Sequence, residues 1–134
     1  MRYSSHDQRG FSLLEAVFAT ALIGLFLSSC AVGLAYGVRS AKEAGRKQQA
    51  TYFAEEGLAA AQNIRDDAYA NLTNGTWGVV TTGNEWGFSG TSDVLGIFSR
   101  SVTITYSGSG KKQVTSTVTW TDTSQRAQTI ALTT

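Results

Sequence analysis

Residues 9–38 read R-G-F-S-L-L-E-A-V-F-A-T-A-L-I-G-L-F-L-S-S-C-A-V-G-L-A-Y-G-V, and this stretch decides the fold. It holds one carboxylate, Glu15, and from Ala16 to Val38 it holds no charged residue. As a helix that uncharged run spans roughly 35 Å, enough to cross the hydrocarbon core of a bilayer. A secretory signal peptide has a shorter apolar region followed by small residues at a cleavage site. Here the order is reversed: a polar leader, residues 1–10 and ending in a glycine, precedes the apolar run. The rest of the chain is read as cargo on this helix.

Length and composition bound that cargo. The chain has 134 residues, so about a hundred or fewer lie outside the leader and the apolar run. That supports one small domain with a thin core. A formal net charge of +1 argues against a dedicated nucleic-acid binder. The single cysteine, Cys30, lies inside the apolar run and cannot form an intrachain disulfide. It reads as a small packing residue. The absence of proline favours long uninterrupted helices.

Taken in order, residues 1–10 are polar, carry His6, the only histidine, and read as a processed or disordered tail. Residues 11–38 form the apolar helix, interrupted by Gly24, Gly33 and Gly37. Gly33 and Gly37 have the small-x-x-x-small spacing that lets membrane helices approach closely. They mark either tolerated flexibility in an anchor or a packing face for other helices. Over residues 39–72 the helix turns amphipathic. Phe53, Gly57, Ala61, Ile64, Ala68 and Leu72 recur at three- and four-residue steps and make one apolar stripe. One helix from about residue 11 to 72 is the simplest reading, ended by Asn71, Asn74 and Gly75.

Residues 73–134 change to Thr, Ser, Val, Gly and Trp with a period of two. A short strand is expected at 77–82, then a polar glycine-rich loop at 83–93. Three clearer strands follow, with faces Val102/Ile104/Tyr106, Val114/Val118/Trp120 and Ile130/Leu132. The linkers 107–112 and 122–125 are short, so neighbours pair antiparallel. One sheet face is mostly Thr, Ser and Gln, suited to water. The other needs a partner, and the stripe on the helix is the apolar surface of matching length. The predicted fold is therefore α+β: a long amino-terminal helix whose second half packs on a small antiparallel sheet.

Glu15 carries the chemistry. An ionisable group in a membrane helix costs on the order of 3 kcal/mol on insertion scales and is by default a functional candidate. The bland alternative is that it reaches back to the headgroup region. If the chain is cut after Gly10, the new amine of Phe11 lies one helical turn from Glu15 and is positive at neutral pH. A buried ammonium and a buried carboxylate are costly apart and tolerable together. The spacing suggests such a pair, within one chain or between adjacent chains.

G-F-S-L-L-E-A (residues 10–16) resembles the class III signal of type IV pilins and pseudopilins: glycine before the cut, phenylalanine after it, a carboxylate fifth, then an unbroken apolar run. The resemblance implies cleavage by prepilin peptidase between Gly10 and Phe11 and methylation of the Phe11 amine. It also implies pairing of Glu15 with that amine on a neighbouring subunit. The implied fold is the type IV pilin fold, and the implied partners are other pilin subunits, the peptidase and an inner-membrane assembly platform. The helix would first sit in lipid as a single-pass anchor of the cytoplasmic membrane, amino-terminus in, and then in the core of a surface filament. Residues 54–66 and the late sheet look like minor pilins, a weaker match. Two features depart from the family pattern: many major pilins have a proline in the membrane segment, and many close a carboxy-terminal loop with a disulfide. Charge counting does not set the orientation either, since Arg2 and Arg9 flank one side and Arg39, Lys42, Arg46 and Lys47 the other.

The charges after the membrane segment are segregated. Residues 39–47 are basic but for Glu43, and residues 55–67 are acidic but for Arg65. They are either solvated faces or bands that attract between staggered neighbours. No enzyme is expected: His6 leaves with the leader and no nucleophile–base pair is visible. No cofactor or metal is expected, Asp93 reading as a turn residue more than a calcium ligand. Lys111 and Lys112, with Trp86, make a weak case for nucleic acid. The functional expectation is a structural pilus subunit, a minor pilin in adhesion, motility or DNA uptake. The alternatives are a pseudopilin of a type II secretion system and a tethered binding module that never polymerises.

Overall fold

The computed structural model describes residues 12–134. Gly10 and Phe11, the expected cleavage and methylation sites, lie outside them. Helix α1 runs Leu13–Asp67. It spans two compact units, the first ending at Ala41 and the second comprising Lys42–Thr134. The second unit is the head: the last part of α1, a 3-10 turn at Tyr69–Asn71, and six strands. These are β1 (Gly75–Thr82), β2 (Glu85–Ser89), β3 (Asp93–Leu95), β4 (Phe98–Gly108), β5 (Lys111–Thr121) and β6 (Ala127–Thr133). All pairings are antiparallel, in the order β2-β1-β4-β5-β6, with β3 also on β4. A long amino-terminal helix against a small antiparallel sheet is the α+β architecture that the pilin resemblance implies.

The stripe on α1 is buried as expected in kind and differs in detail. Ala50, Phe53, Ala54, Gly57, Ala60, Ala61 and Ile64 are its buried residues, three and four apart. The helix stops at Asp67, short of Leu72, because Ala68 is extended (φ −154°, ψ 122°). Leu72 still reaches the core, only 3% exposed, by way of the 3-10 turn. Trp77 caps this corner by donating its indole N–H to the Thr73 carbonyl (3.1 Å).

Two core halves lie between helix and sheet. One gathers Ala60, Ala61, Leu72, Val79, Val102, Ile104 and Val114, with Trp77, Trp86 and Phe88 packed on it. The other gathers Ala50, Phe53, Ala54, Phe98, Val118 and Trp120, flanked by Ile130 and Leu132. Gly57, Arg100 and Ser116 meet between them. A Cβ on Gly57 would stand 2.5 Å from Ser116 Oγ and 3.0 Å from Arg100 Cδ, so glycine permits the close approach of helix to sheet.

The expected loop at 83–93 is mostly strand. Gly83 and Asn84 both have positive φ (60° and 71°), and Thr82 pairs with Glu85. That is the two-residue hairpin turn whose twist suits right-handed strands. It makes β2 the partner of β1, and the Trp77 and Phe88 rings stack 6.3 Å apart. Strand β1 pairs with β4 only over Gly75–Trp77, after which β3 occupies that edge of β4. The departure point is Gly78, where a Cβ would lie 2.6 Å from the Ser92 backbone. The face expected for β4 also shifts: Val102 and Ile104 are buried, Tyr106 is exposed, and Phe98 and Arg100 extend the buried row. Strand β5 buries Val114, Val118 and Trp120 as expected, and Ser116 with them.

Candidate functional site

Two surfaces are candidates, the apolar part of α1 and the exposed surface of the head. In the first, the large apolar side chains between Leu13 and Val38 are 48–83% exposed. An apolar surface of that extent is not one a soluble protein leaves to water. This part of α1 is long and apolar enough to cross a membrane. Its hydroxyls suit an apolar medium. Thr20 donates to the Ala16 carbonyl (3.0 Å), Ser28 to Gly24 (2.8 Å) and Ser29 to Leu25 (2.8 Å). These three hydroxyls are thus satisfied inside the helix that carries them.

Glu15 lies in the first turn of α1, where a negative charge is favoured by the helix dipole. Ser12 and Glu15 have the S-x-x-E spacing of a capping box, and the Ala16 N–H donates to the Ser12 carbonyl (3.1 Å). Nothing lies within 4 Å of a Cβ placed on Gly24, Gly33 or Gly37. Their faces are open within one chain and accessible to another helix. Cys30 is exposed on the same stretch.

The head absorbs much of the charge that the sequence left unassigned. Arg100, 3% exposed, is the centre of a buried network. It donates Nη2 and Nε to the two carboxylate oxygens of Asp93 (2.8 and 3.2 Å), and Nη1 to Glu56 (3.1 Å) and to the Phe53 carbonyl (3.0 Å). Its guanidinium also lies 4.0 Å from the centroid of the Phe53 ring. Asp93 accepts the Val79 N–H as well (2.9 Å). Asp93 is therefore committed to Arg100 and β1, and no cluster of metal ligands occurs among the described residues. Of the acidic band, Glu56 belongs to this network and Asp66 is bonded to Arg65 (2.7 Å). Of the basic band, Arg46 pairs with Glu43 (3.3 Å). Glu43 also accepts the Thr123 N–H and hydroxyl (3.2 and 2.9 Å), holding the β5–β6 turn against α1.

That turn is built on Asp122. Its carboxylate accepts the backbone N–H of Arg126 (2.9 Å) and of Ser124 (2.7 Å) and the side-chain amide of Gln128 (3.2 Å). The Arg126 N–H bond holds the Asp122 pKa below the usual carboxylate range. Burial opposes it, and the Ser124 and Gln128 bonds and the Arg126 charge reinforce it.

The exposed surface of the head carries two recesses of note. One, of about 530 Å³, is lined by Gln49, Tyr52, Phe53 and the turn from Leu95 to Phe98, with no charged residue. Val94, Leu95, Ile97 and Tyr52 around it are 53–70% exposed. The other, of about 320 Å³, lies where the β4–β5 hairpin tip meets the end of α1. Lys111 and Lys112, with only their spacing to speak for them in the sequence, line it together with Arg65 and Tyr69. Pairing in three dimensions is what brings these four together, and no local pattern signals it. Compared with protein-family models, with curated proteins and with solved structures, the chain matches none.

Proposed function

We propose that this chain is a structural subunit of a type IV pilus-like filament, more specifically a minor pilin. Prepilin peptidase cuts after Gly10 and methylates Phe11. The subunit waits in the cytoplasmic membrane on residues 11–38, with its amino-terminus inside. It then enters a surface filament by exchanging lipid contacts for contacts with other subunits, at the inner-membrane assembly platform. Glu15 pairs there with a neighbour's Phe11 amine, and Gly24, Gly33 and Gly37 give neighbouring helices room.

The observation that carries this reading is the succession of residues 10–15 by a helix with exposed apolar side chains and internally bonded hydroxyls. A second, unlike apolar surface around Tyr52 and Ile97 supports it. Two different adhesive surfaces on one chain favour heterologous contacts, which propagate and do not close as a two-fold dimer does.

Mass spectrometry of the amino-terminus, on membranes and on filaments sheared from cells, tests the reading. The expected mature chain begins at methylated Phe11 and is a minor constituent of the sheared fraction. A chain that keeps Met1 refutes processing. A processed chain absent from sheared filaments refutes the pilus assignment in favour of a pseudopilin or a tethered module.

A further inference from the structure

The recess at the β4–β5 tip has the makings of a ligand site, and it is separate from the surfaces proposed for assembly. Its floor is apolar, made by Leu58, Ala61, Leu72 and Val114. Three of these are core residues: Ala61, Leu72 and Val114 are 2–6% exposed. The rim carries three cations, Lys111, Lys112 and Arg65, with Gln62 and Thr134 beside them, and no carboxylate side chain lines the recess. At about 320 Å³ it falls at the lower end of the range for small-molecule sites, which are mostly apolar with a few placed polar groups.

The rim is held in position. Tyr69 donates its hydroxyl to the Gly110 carbonyl (2.7 Å), and the Gly110 N–H donates to the Tyr106 hydroxyl (3.0 Å). Two tyrosines thus pin the tip, whose Gly108, Ser109 and Gly110 all have positive φ. Lys112 Nζ donates to the Leu72 carbonyl and lies 5.1 Å from the centroid of the Tyr69 ring. Neither lysine forms an ion pair among the described residues, whereas Arg65 is already bonded to Asp66. Two ammonium groups with no ion-pair partner among the described residues thus share the rim of an apolar floor, Lys112 beside the Tyr69 ring.

We infer that this recess binds a small amphipathic anion: a carboxylate or phosphate monoester carrying an aromatic or aliphatic group. The apolar group occupies the floor formed by Leu58, Leu72 and Val114. The anionic head meets Lys111 and Lys112 at the rim. A purely apolar ligand leaves the lysines unused, and a bare inorganic anion leaves the floor uncovered. Both halves of the ligand contribute, so each alone binds weakly.

Amide spectra of the full chain in zwitterionic micelles provide the test, with phenyl phosphate as the probe. Phenol and inorganic phosphate are the two half-ligands. The expected result is a saturable shift of the Leu72, Gly110 and Lys112 amides by phenyl phosphate, with each half-ligand at least tenfold weaker. Lys111→Gln weakens the binding at least fivefold while the β4–β5 resonances stay in place, and Lys111→Arg restores it. Because Lys111 is exposed, its loss does not threaten the fold. No saturable shift, or equal binding of either half-ligand, overturns the inference. So does an unchanged affinity in Lys111→Gln. A single-stranded oligonucleotide that shifts the same amides at tenfold lower concentration also overturns it, in favour of a nucleic-acid strand.

Discussion

Gly57 offers a test of how closely the helix and the sheet are fitted. In an exposed helix interior, Gly→Ala stabilises by about 1 kcal/mol through backbone entropy. At Gly57 the new methyl group meets Ser116 Oγ at 2.5 Å and Arg100 Cδ at 3.0 Å. Neither neighbour retreats easily. Ser116 is wholly buried on β5, and Arg100 is tethered at its guanidinium by Asp93, Glu56 and the Phe53 carbonyl. Overpacking of this kind costs about 1–3 kcal/mol. The net expectation for Gly57→Ala is a loss of about 1 kcal/mol, opposite in sign to the helix propensity.

Ser116 supplies the control. Its buried hydroxyl has no hydrogen-bond partner among the described residues. An unsatisfied buried polar group costs about 1–3 kcal/mol, so Ser116→Ala should stabilise by about 1 kcal/mol. Removing Oγ also removes the 2.5 Å contact, leaving Ser116 Cβ at 3.3 Å and Arg100 Cδ. In that background Gly57→Ala should become neutral or stabilising, a coupling of about 1–2 kcal/mol. Urea unfolding of the full chain in mild detergent, followed by fluorescence of Trp77, Trp86 and Trp120, measures the cycle. Gly57→Ala stabilising by itself, or the two changes adding within about 0.4 kcal/mol, refutes the steric argument.

Four further outcomes are expected. Asp93→Asn leaves Arg100 with a buried, half-paired charge and should cost about 3 kcal/mol, whereas Glu56→Gln, at the exposed end of the network, should cost about 1 kcal/mol or less; equal losses in denaturant melts would contradict the burial asymmetry. Gly78→Ala places a methyl group against backbone that cannot rotate away, and a loss of about 3 kcal/mol or failure to accumulate folded chain is expected, read by circular dichroism. The Asp122 pKa is depressed on folding, so its contribution is present above the unfolded-state value and is lost as pH falls through the lower folded value; the stability difference between the native chain and Asp122→Ala should shrink across that acidic window, and a difference that grows on acidification would be the wrong sign. Glu15→Ala should leave membrane insertion intact and sharply reduce incorporation into filaments, scored by the chain's ratio in sheared and membrane fractions; undiminished incorporation counts against the amine–carboxylate pair.

Sequence periodicity located the helix, the buried stripe from Phe53 to Ile64 and the principal strands, because those depend on local spacing: 3.6 for a helix and 2 for a strand. It also isolated Glu15 as the lone carboxylate before an uncharged run. Strand β2 went unseen because E-W-G-F-S is short and contains a glycine, although Gly83-Asn84 before it is a recognised hairpin pair. Arg100 went unseen for a different reason. A cation between Ser99 and Ser101 reads as a solvent-facing residue, and only partners distant in the chain, Glu56 and Asp93, make its burial tolerable. The same holds for Gly57 against Ser116 and for Lys111 and Lys112 against Arg65 and Tyr69. The sequence by itself determined which stretches are apolar, which face of each is dry and where Glu15 stands before the uncharged run. Only the tertiary structure decided which charges are buried, where the helix touches the sheet and which cations share a recess. Those are contacts between residues up to 80 positions apart, and no local pattern encodes them.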